Sequence, residues 1–382
     1  NQSRRQRQMC IRDRLNRIKI ISYLISFSFL LYSCDEKPKS GITNPSFLPN
    51  ASGENNEMLI VMDSTKFKGK IGRELVDIYS SYISGLPQPE PRYDLRYIKP
   101  RKFNSILKHA KNIVVAFSLE GNSLDSEILR RNFNSESLDK IQSDSSLFYF
   151  VRRNQYARGQ VVLYLFSEND DDLYSKIKRN RNSILKFFDD ELKKRVDTEI
   201  FRKVENNLMD KIFTDHNIKI KIPYGYDLAK SINEENSNFF WLRQLDLEYD
   251  KNIFLYYEDY SNSELKNFYD VFNSSDINIK PIRAYISKKY LRDSEKSKIF
   301  MDIQDVFPIQ SNKINFKGNL AIESRGLWKL SDISAGGPFL SKIIYDSKLK
   351  RVYYLEGYVY APGLKKRGLM QEISSILMTF EL

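Results

Sequence analysis

LAIESRGLWKLSDISAGGPFLSKIIYDSKLKRVYYLEGYVY, residues 320–360, is the stretch that decides the fold class. Its apolar runs, rich in β-branched and aromatic residues, are bounded by clusters of Gly, Pro, Asp and Ser, which is typical of antiparallel strands joined by tight turns. The predicted strands span 320–330, 339–345 and 351–360, with turns at Ala335–Pro338 and Asp346–Lys348. An apolar stripe at helical spacing then predicts a closing helix over 365–378, so the chain ends in a β-meander plus a helix.

The preceding sequence alternates between strand and helix patterns. Strands are predicted at 58–63, 93–98, 112–119, 147–153, 160–167, 218–223, 239–243 and 252–257, and helices at 69–83, 101–110, 227–232 and 262–273. Together with the meander, this pattern predicts an α+β fold with mixed or antiparallel sheets and packed helices. Residues 58–213 and 214–382 each follow the order strand–helix–strand–strand–helix, which is consistent with two duplicated α/β halves.

A long helical region is predicted over 171–213, where apolar residues recur every four positions from Ile184 to Ile212. A step of four residues turns the stripe by about 40° each time, because the helix has 3.6 residues per turn. Over 184–212 the apolar stripe would rotate away from any single face of a straight helix. We therefore expect the helix to break near Asp197–Thr198.

The first 33 residues differ from the rest of the chain. A basic run that includes Arg17 and Lys19 precedes an apolar stretch over 20–31, which is too short to span a bilayer as a helix. This order is typical of a secretory signal peptide. Leu31-Tyr-Ser-Cys34 resembles a lipobox, in which lipid is attached to the cysteine and the leader is cleaved before it. The sequence therefore predicts a lipoprotein signal peptide over 1–33 and lipidation at Cys34.

Residues 1–14 (NQSRRQRQMCIRDR) resemble translated sequencing-adapter sequence, in which case the biological start lies further downstream. Residues 1–33 hold seven Lys and Arg and one Asp, so +6 of the formal net charge of +12 lies in the leader. The remaining excess is too small to indicate a nucleic-acid partner, and no nucleic-acid-binding motif is present in the sequence.

Residues 34–57 are polar and rich in Pro, Ser, Asn and Gly, which predicts a flexible tether after the lipidated cysteine. Cys34 is the last cysteine of the chain, so the predicted mature protein cannot form an internal disulfide. We expect a lipid-anchored protein of the cell envelope, at the outer membrane, with its periplasmic or surface orientation left open.

The sequence indicates no catalytic residue, metal site or cofactor. The two histidines, His109 and His216, lack metal-ligand spacing, and each is interpreted as a surface residue at a helix end. Phosphate-loop and nucleophile-elbow motifs are missing from the sequence. The acidic run at 168–172 has oxygen ligands for calcium but lacks the loop pattern, so we interpret it as the N-terminal cap of the long helix.

Two groups of residues are candidates for binding. Arg325, Trp328, Gly336 and Gly337 could form a groove where the backbone approaches a ligand, although a tight hairpin with a core tryptophan is the simpler explanation. Lys365, Lys366 and Arg367 occupy the predicted first turn of the last helix, where the helix dipole disfavours cations. They could serve an anion or a lipid headgroup, or be a solvated helix start.

The segments GLPQPEP (85–91), RGLWK (325–329), GGPF (336–339) and LEGYVYAPGLKKR (355–367), with the lipobox, resemble a Bacteroidetes envelope lipoprotein family, domain of unknown function 4837. The resemblance covers nearly all of residues 50–382 and implies a cell-envelope lipoprotein. It implies no activity, cofactor or catalytic residue.

The leading hypothesis is therefore a non-enzymatic envelope lipoprotein that acts as a binding or assembly module, with an envelope protein or a glycan as its partner. The alternative is a periplasmic or surface hydrolase that uses a pair of carboxylates on a glycan or peptide.

Overall fold

The computed structural model describes residues 47–234, 237–260, 268–292 and 298–381. The predicted leader, Cys34 and the first part of the tether lie outside these residues. None of the helices in the described ranges combines the length and the apolar character needed to cross a bilayer.

The first sheet is mixed and lies in the N-terminal part of the chain. Its strands are β1 (Glu57–Val61), β2 (Asp94–Ile98), β3 (Asn112–Ser118), β4 (Tyr149–Arg153) and β5 (Val161–Ser167). The strand order is β2-β1-β3-β5-β4, with parallel pairing except between β4 and β5. Every residue of β3 and β5 is buried, as expected for parallel strands covered on both faces. All five predicted strands are confirmed.

Helices cover both faces of this sheet. They are α1 (Ser64–Lys68), α2 (Lys70–Tyr79), α3 (Leu124–Arg130), α4 (Ser135–Ser143), α5 (Asp170–Arg179) and α6 (Arg181–Ile200). Side chains of α2, α5 and α6 pack on one face, and those of α3 and α4 on the other. The helices α3 and α4 were not predicted, because each buries a single apolar side chain, Leu129 or Ile141, and so gives no periodic signal.

Two helix predictions in this region need correction. The helix predicted over 101–110 is two short 3₁₀ helices, Pro100–Lys102 and Leu107–His109. The long helical region is broken as expected, but α6 ends at Ile200, slightly after the predicted position, and is followed by α7 (Asn206–His216). An unpredicted break at Asn180 separates α5 from α6, where the Asn180 side chain donates to the Lys176 carbonyl at 2.9 Å.

The second sheet has eight strands and is antiparallel throughout. Its strands are β6 (Asp227–Glu234), β7 (Ser237–Leu245), β8 (Asp250–Asp259), β9 (Met301–Ile303), β10 (Gln310–Phe316), β11 (Asn319–Leu330), β12 (Gly336–Asp346) and β13 (Arg351–Tyr360). The order is β10-β11-β12-β13-β8-β7-β6, and β9 pairs with the end of β11. The predicted meander is confirmed as β11–β13; β9 and β10 were not predicted.

The helix predicted over 227–232 is wrong, because these residues form β6. They pair with β7 through a β-bulge between Leu228 and Lys230, so pairing across the sheet overrides the local pattern. The strand predicted over 218–223 is wrong, because these residues form only isolated bridges, from Lys219 to Glu381 and from Pro223 to Val204, although Ile218, Ile220 and Ile222 are buried.

Three more helices pack on this sheet: α8 (Phe268–Asn273), α9 (Lys280–Tyr290) and α10 (Arg367–Leu377). One face packs against α7 and α10, and the other against α8 and α9. The closing helix is confirmed, and the helix predicted over 262–273 is confirmed for its described part. The helix α9 was not predicted.

The α+β class with mixed and antiparallel sheets is confirmed. The first sheet is mostly parallel and the second is antiparallel, so the expectation of a duplicated unit is not supported by the strand topology.

The end of the predicted tether also differs from the expectation of a flexible segment. The backbone of Ala51 donates to Arg158 and that of Ser52 to His109, both at 2.8 Å, so this segment lies against the first sheet.

Candidate functional site at the junction of the two sheets

The loop between α2 and β2 joins the two halves of the molecule. Gly85 begins its GLPQPEP segment with φ near +79°, and a Cβ at this position would lie 3.0 Å from the Cβ of Arg325 on β11. Glycine therefore allows the loop to lie directly on the second sheet.

The end of the same loop caps the last helix. The Glu90 carboxylate accepts the backbone N–H groups of Lys366 at 2.7 Å and Arg367 at 3.0 Å. Glu90 is only 4% exposed, so its charge lies directly against the positive end of α10. Two sequence motifs that are far apart in the chain thus meet in one contact.

This contact corrects the interpretation of the basic triplet. Lys365 and Lys366 precede α10 rather than forming its first turn, and Arg367 is its first residue. Arg367 is buried and donates to Asp94 at 2.7 Å and to the Pro91 carbonyl. The hydrogen bond from Arg367 holds the pKa of Asp94 below its usual range. Lys365 and Arg367 therefore have an acidic partner within the chain, Asp94, whereas the Lys366 ammonium donates to the Leu364 carbonyl at 2.6 Å.

A cleft of about 360 Å³ opens beside this contact, and we call it the junction cleft. Its walls are the loop at 83–86, the α6 residues 189–196, Arg325 on β11 and the α10 residues 370–375. Among the described lining residues, one is acidic, Asp189. Four are cationic: Arg92, Lys193, Arg325 and Arg367.

Two carboxylates near the cleft are each shared by two cations. Glu323 accepts from Arg325 at 3.1 Å and also from buried Lys342. Burial would raise the pKa of Glu323, but the charges of Lys342 and Arg325 outweigh it and keep this pKa below its usual range. Asp94 likewise serves both Arg367 at 2.7 Å and Lys365 at 3.6 Å. Each shared carboxylate leaves one positive charge without its own partner.

Arg92 lines the cleft and is held in place by Asp189. Its Nη1 donates to Asp189 at 2.5 Å, and the other oxygen of Asp189 accepts from Tyr93 at 3.0 Å. The Nε of Arg92 is buried and has no hydrogen-bond partner. The Arg92 side chain as a whole is 35% exposed, so an anion in the cleft would lie beside its positive charge.

The other candidate groove residues do not reach the cleft with Arg325. Trp328 is 4% exposed, and its indole N–H donates to the Val359 carbonyl at 3.2 Å. Gly336 and Gly337 begin β12 rather than forming a turn, and a Cβ on Gly337 would lie 2.0 Å from the Val359 oxygen. Glycine is thus needed at Gly337 because another backbone group lies very close to it. That group is the Val359 carbonyl of the same sheet and not a ligand. The core interpretation of Trp328 is confirmed.

A second polar cluster lies where the chain changes direction in the first sheet, at the carboxyl ends of β1 and β3. Ligands commonly bind at such a point in α/β sheets. Here the Lys66 ammonium donates to Ser118, to the Glu120 carbonyl at 2.8 Å and to Asp170 at 2.6 Å. An ammonium has three N–H donors, and all are used. The Lys66 ammonium therefore joins three elements of the fold and has no donor left for a ligand.

Acidic residues of the run at 168–172 behave as expected for a cap. Asn169 is the N-cap of α5, and its side chain accepts the Asp172 N–H at 2.9 Å. Asp170, Asp171 and Asp172 occupy the first turn, where negative charge is favoured. Within the described residues, no group of three or more His, Cys, Asp or Glu is arranged to hold a metal ion.

His216 ends α7 as predicted, but it is buried rather than on the surface. Its ring nitrogens contact Ser231 Oγ at 2.9 Å and Tyr257 OH at 3.2 Å. Burial lowers the pKa of His216, which favours the neutral ring. Tyr257 stands where a serine hydrolase would place a carboxylate, so the group that stabilises the imidazolium in such a triad is replaced by a neutral phenol. His109 lies in a 3₁₀ helix and is half-buried.

Among these cleft residues, Arg325 and Arg367 were predicted from the sequence as binding candidates, whereas Arg92 and Asp189 were not. Arg92 directly follows the GLPQPEP segment, which was a usable signal. Asp189 lies within α6 among other charged residues, and nothing local distinguishes it.

Comparisons with known families divide the chain in two. Residues 51–201 match the family described as Domain of unknown function (DUF8532), and residues 205–379 match Domain of unknown function (DUF4837). No curated protein matches the chain. The resemblance to DUF4837 is thus confirmed, but it covers the second sheet and its helices rather than all of residues 50–382, since the first part matches a different family.

Proposed function

We propose that this protein is a lipid-anchored lipoprotein of the cell envelope, at the outer membrane, that acts as a non-enzymatic binding or assembly module. The anchor is the predicted lipid on Cys34. The binding site is the junction cleft, and this cleft is the observation that carries the proposal.

The cleft has the properties of a binding site. Its volume of about 360 Å³ falls within the range of roughly 300–1,000 Å³ that is typical of small-molecule pockets. It lies between elements that match two different families, so a bound partner would contact both parts of the chain. Sites between packed units are a common location for ligands.

The hydrolase alternative is less well supported. A glycosidase-like mechanism needs two carboxyl groups facing each other across the substrate. Asp189 is the single carboxylate among the described residues that line the cleft, and Arg92 and Tyr93 already hydrogen-bond to it. This arrangement favours binding over acid–base catalysis.

The anchor is tested by Cys34→Ser in the full-length chain. We expect the variant to leave the membrane fraction and become soluble without detergent. Unchanged membrane association of Cys34→Ser would contradict the lipoprotein part of the proposal.

The binding site is tested by native mass spectrometry of protein purified gently from its own membranes. We expect an additional bound mass on the wild type that is lost in Gln371→Trp, because Gln371 lines the cleft and a larger side chain would fill it. Gln88→Trp is the matched control, since Gln88 is exposed and outside the lining. No bound mass, or equal retention by both variants, would contradict the cleft as the binding site.

A further inference from the structure

We propose that the junction cleft binds a small organic anion, whose phosphate or carboxylate group contacts Arg92 and Arg325 while its apolar body lies against Leu192 and Met370. This inference rests on the proposed function, because it names the ligand class of the same cleft.

The charge distribution favours an anion. Arg325 shares Glu323 with Lys342, and Arg367 shares Asp94 with Lys365, so the local carboxylates cannot neutralise all of these cations. Arg325 donates to Glu323 through Nε and Nη2. Its Nη1 remains available, and a guanidinium suits the planar or tetrahedral oxygens of a carboxylate or phosphate.

Arg92 adds a further cation to this surplus of charge. Its Nη1 is fixed by Asp189, which orients the guanidinium, and its side chain lines the cleft and is 35% exposed. A ligand oxygen would interact with this guanidinium in a partly desolvated site, where charge-assisted hydrogen bonds are stronger than in water.

The apolar wall indicates that the anion has an organic body. Leu192, Val196 and Met370 line the cleft, each 6% exposed, and Leu86 lies beside them. An inorganic anion would occupy the cationic side alone and leave this wall in contact with water. An acid with a short alkyl group would cover both sides of the cleft.

Other charged clusters do not offer the same opportunity. The three donors of Lys66 are already used. The Arg283–Glu356 pair is enclosed, with both side chains at most 1% exposed. The junction cleft combines open volume, shared carboxylates and two partly exposed arginines, Arg92 and Arg325.

The experiment is calorimetric titration of the unlipidated full-length chain, carrying Cys34→Ser, with four probes: hexyl phosphate, hexanoate, hexanol and inorganic phosphate. We expect both hexyl anions to bind, and hexanol and inorganic phosphate to bind at least about tenfold more weakly, because each lacks one of the two contacts. If inorganic phosphate bound as tightly as hexyl phosphate, the proposal that the ligand has an apolar body would be overturned. If hexanol bound as tightly as the two hexyl anions, the proposal that the ligand is an anion would be overturned.

Variants locate the contact. We expect Arg325→Met and Arg92→Met to weaken binding of hexyl phosphate about tenfold or more, whereas Arg325→Lys retains part of the affinity through its charge. Arg131→Met is the matched control, since Arg131 pairs with Glu127 on an exposed helix surface. Unfolding midpoints measured in parallel show that each variant is folded. Binding that is unchanged in both cleft variants would overturn the proposal.

This result is separable from that of the proposed function. A membrane-derived mass lost in Gln371→Trp, together with no binding of the hexyl anions, would leave the binding module in place and reject the ligand class. If neither a membrane-derived mass nor binding of the hexyl anions were found, both the binding module and the ligand class would be rejected.

Discussion

Two arginine–glutamate pairs lie on opposite faces of the same antiparallel sheet and have different surroundings. Arg283 and Glu356, the buried pair, are 1% and 0% exposed. Arg325 and Glu323, the cleft pair, are 33% and 22% exposed. Glu356 lies opposite Phe254, which packs on the α9 face, whereas Arg325 lies opposite Leu340, which packs on the α10 face.

The buried pair is saturated. Arg283 donates to Glu356 from Nε at 2.9 Å and from Nη2 at 2.7 Å, and its guanidinium lies 4.6 Å from the Phe339 ring. The Tyr354 hydroxyl donates at 2.7 Å to Oε2 of Glu356, the oxygen that also accepts from Arg283 Nε. Burial would lower the pKa of Arg283, but the charge of Glu356 outweighs it and raises this pKa. Nothing is left for an outside partner.

The cleft pair differs because its carboxylate is shared. Glu323 also serves Lys342, so Arg325 can exchange part of its interaction for a ligand without leaving Glu323 unpaired. The same residue types thus hold helix α9 on one face and provide binding capacity on the other. The two pairs have the same side-chain chemistry. Their structural and binding roles differ because of their exposure to solvent and the number of cations that share each carboxylate.

The largest expected effect comes from replacing the two arginines by methionine. Arg283→Met leaves Glu356 buried without its cation and should lower the free energy of unfolding by about 3–5 kcal/mol. Arg325→Met leaves Glu323 paired with Lys342 and should cost less than about 1 kcal/mol. Urea denaturation measures both.

Equal losses in these two variants would remove the distinction between the pairs. The double variant Arg283→Met/Glu356→Leu provides a further control, because an apolar replacement of a whole buried pair is often neutral or stabilising. It should recover most of the stability lost in Arg283→Met.

The next effect tests whether the GGPF segment belongs to the sheet or to a groove. In Gly337→Ala, the new Cβ would collide with the Val359 carbonyl, so we expect a loss of about 1–3 kcal/mol in thermal or urea unfolding. Gly368→Ala is the matched control. Nothing lies within 4 Å of its added Cβ, and alanine favours a helix, so its stability should rise by up to about 1 kcal/mol. Tolerance of Gly337→Ala would restore the groove interpretation.

A smaller effect is expected at the contact that forms one side of the junction cleft. Glu90→Ala removes the acceptor for the first N–H groups of α10 and should lower the free energy of unfolding by about 1–2 kcal/mol. Hydrogen exchange at the Lys366 and Arg367 amides should accelerate. Glu136→Ala, at an exposed pair in the first turn of α4, should change neither quantity appreciably. Unchanged exchange in Glu90→Ala would show that the contact does not stabilise the helix.

The smallest effect concerns His216, a buried polar group whose partners are neutral. Burial lowers its pKa below the ordinary value of 6.5, so the unfolded chain takes up a proton more readily than the folded one. The stability from this group is present above pH 6.5 and is lost as the pH falls below it.

His216→Gln should therefore reduce the fall in unfolding midpoint between pH 7 and pH 5.5, by less than the effect of Glu90→Ala. His109→Gln, which keeps His216, should retain the fall. Equal slopes in the two variants would assign the pH dependence to groups other than His216.

Much of the fold follows from local sequence patterns. Strands β1–β5 and β11–β13 were predicted because continuous apolar runs or Gly-rich and Asp-rich turns mark them. The stripe from Ile184 to Val196 predicted the buried side of α6. Errors occurred where pairing across the sheet determines structure, as in β6, or where a short helix buries one apolar residue, as in α3 and α4.

The candidate site was only partly predictable. Arg325 and Arg367 were identified as unusual residues, but Trp328, Gly336 and Gly337 were grouped with Arg325 because they are neighbours in sequence. In a strand, successive side chains point to opposite faces, so neighbours such as these need not share a site. The burial of Trp328 and the partners of Arg367 depend on residues far away in the chain.

By itself, the sequence determined the α+β class, the C-terminal meander and helix, and the expectation of a lipid anchor at Cys34, because periodicity, turn residues and a leader are local signals. Only the tertiary structure decided that Glu90 caps α10, that Arg92 and Arg325 line one cleft, and that the Arg283–Glu356 pair is enclosed. These features depend on which distant segments pack together and how much water remains between them, and no local pattern encodes either quantity.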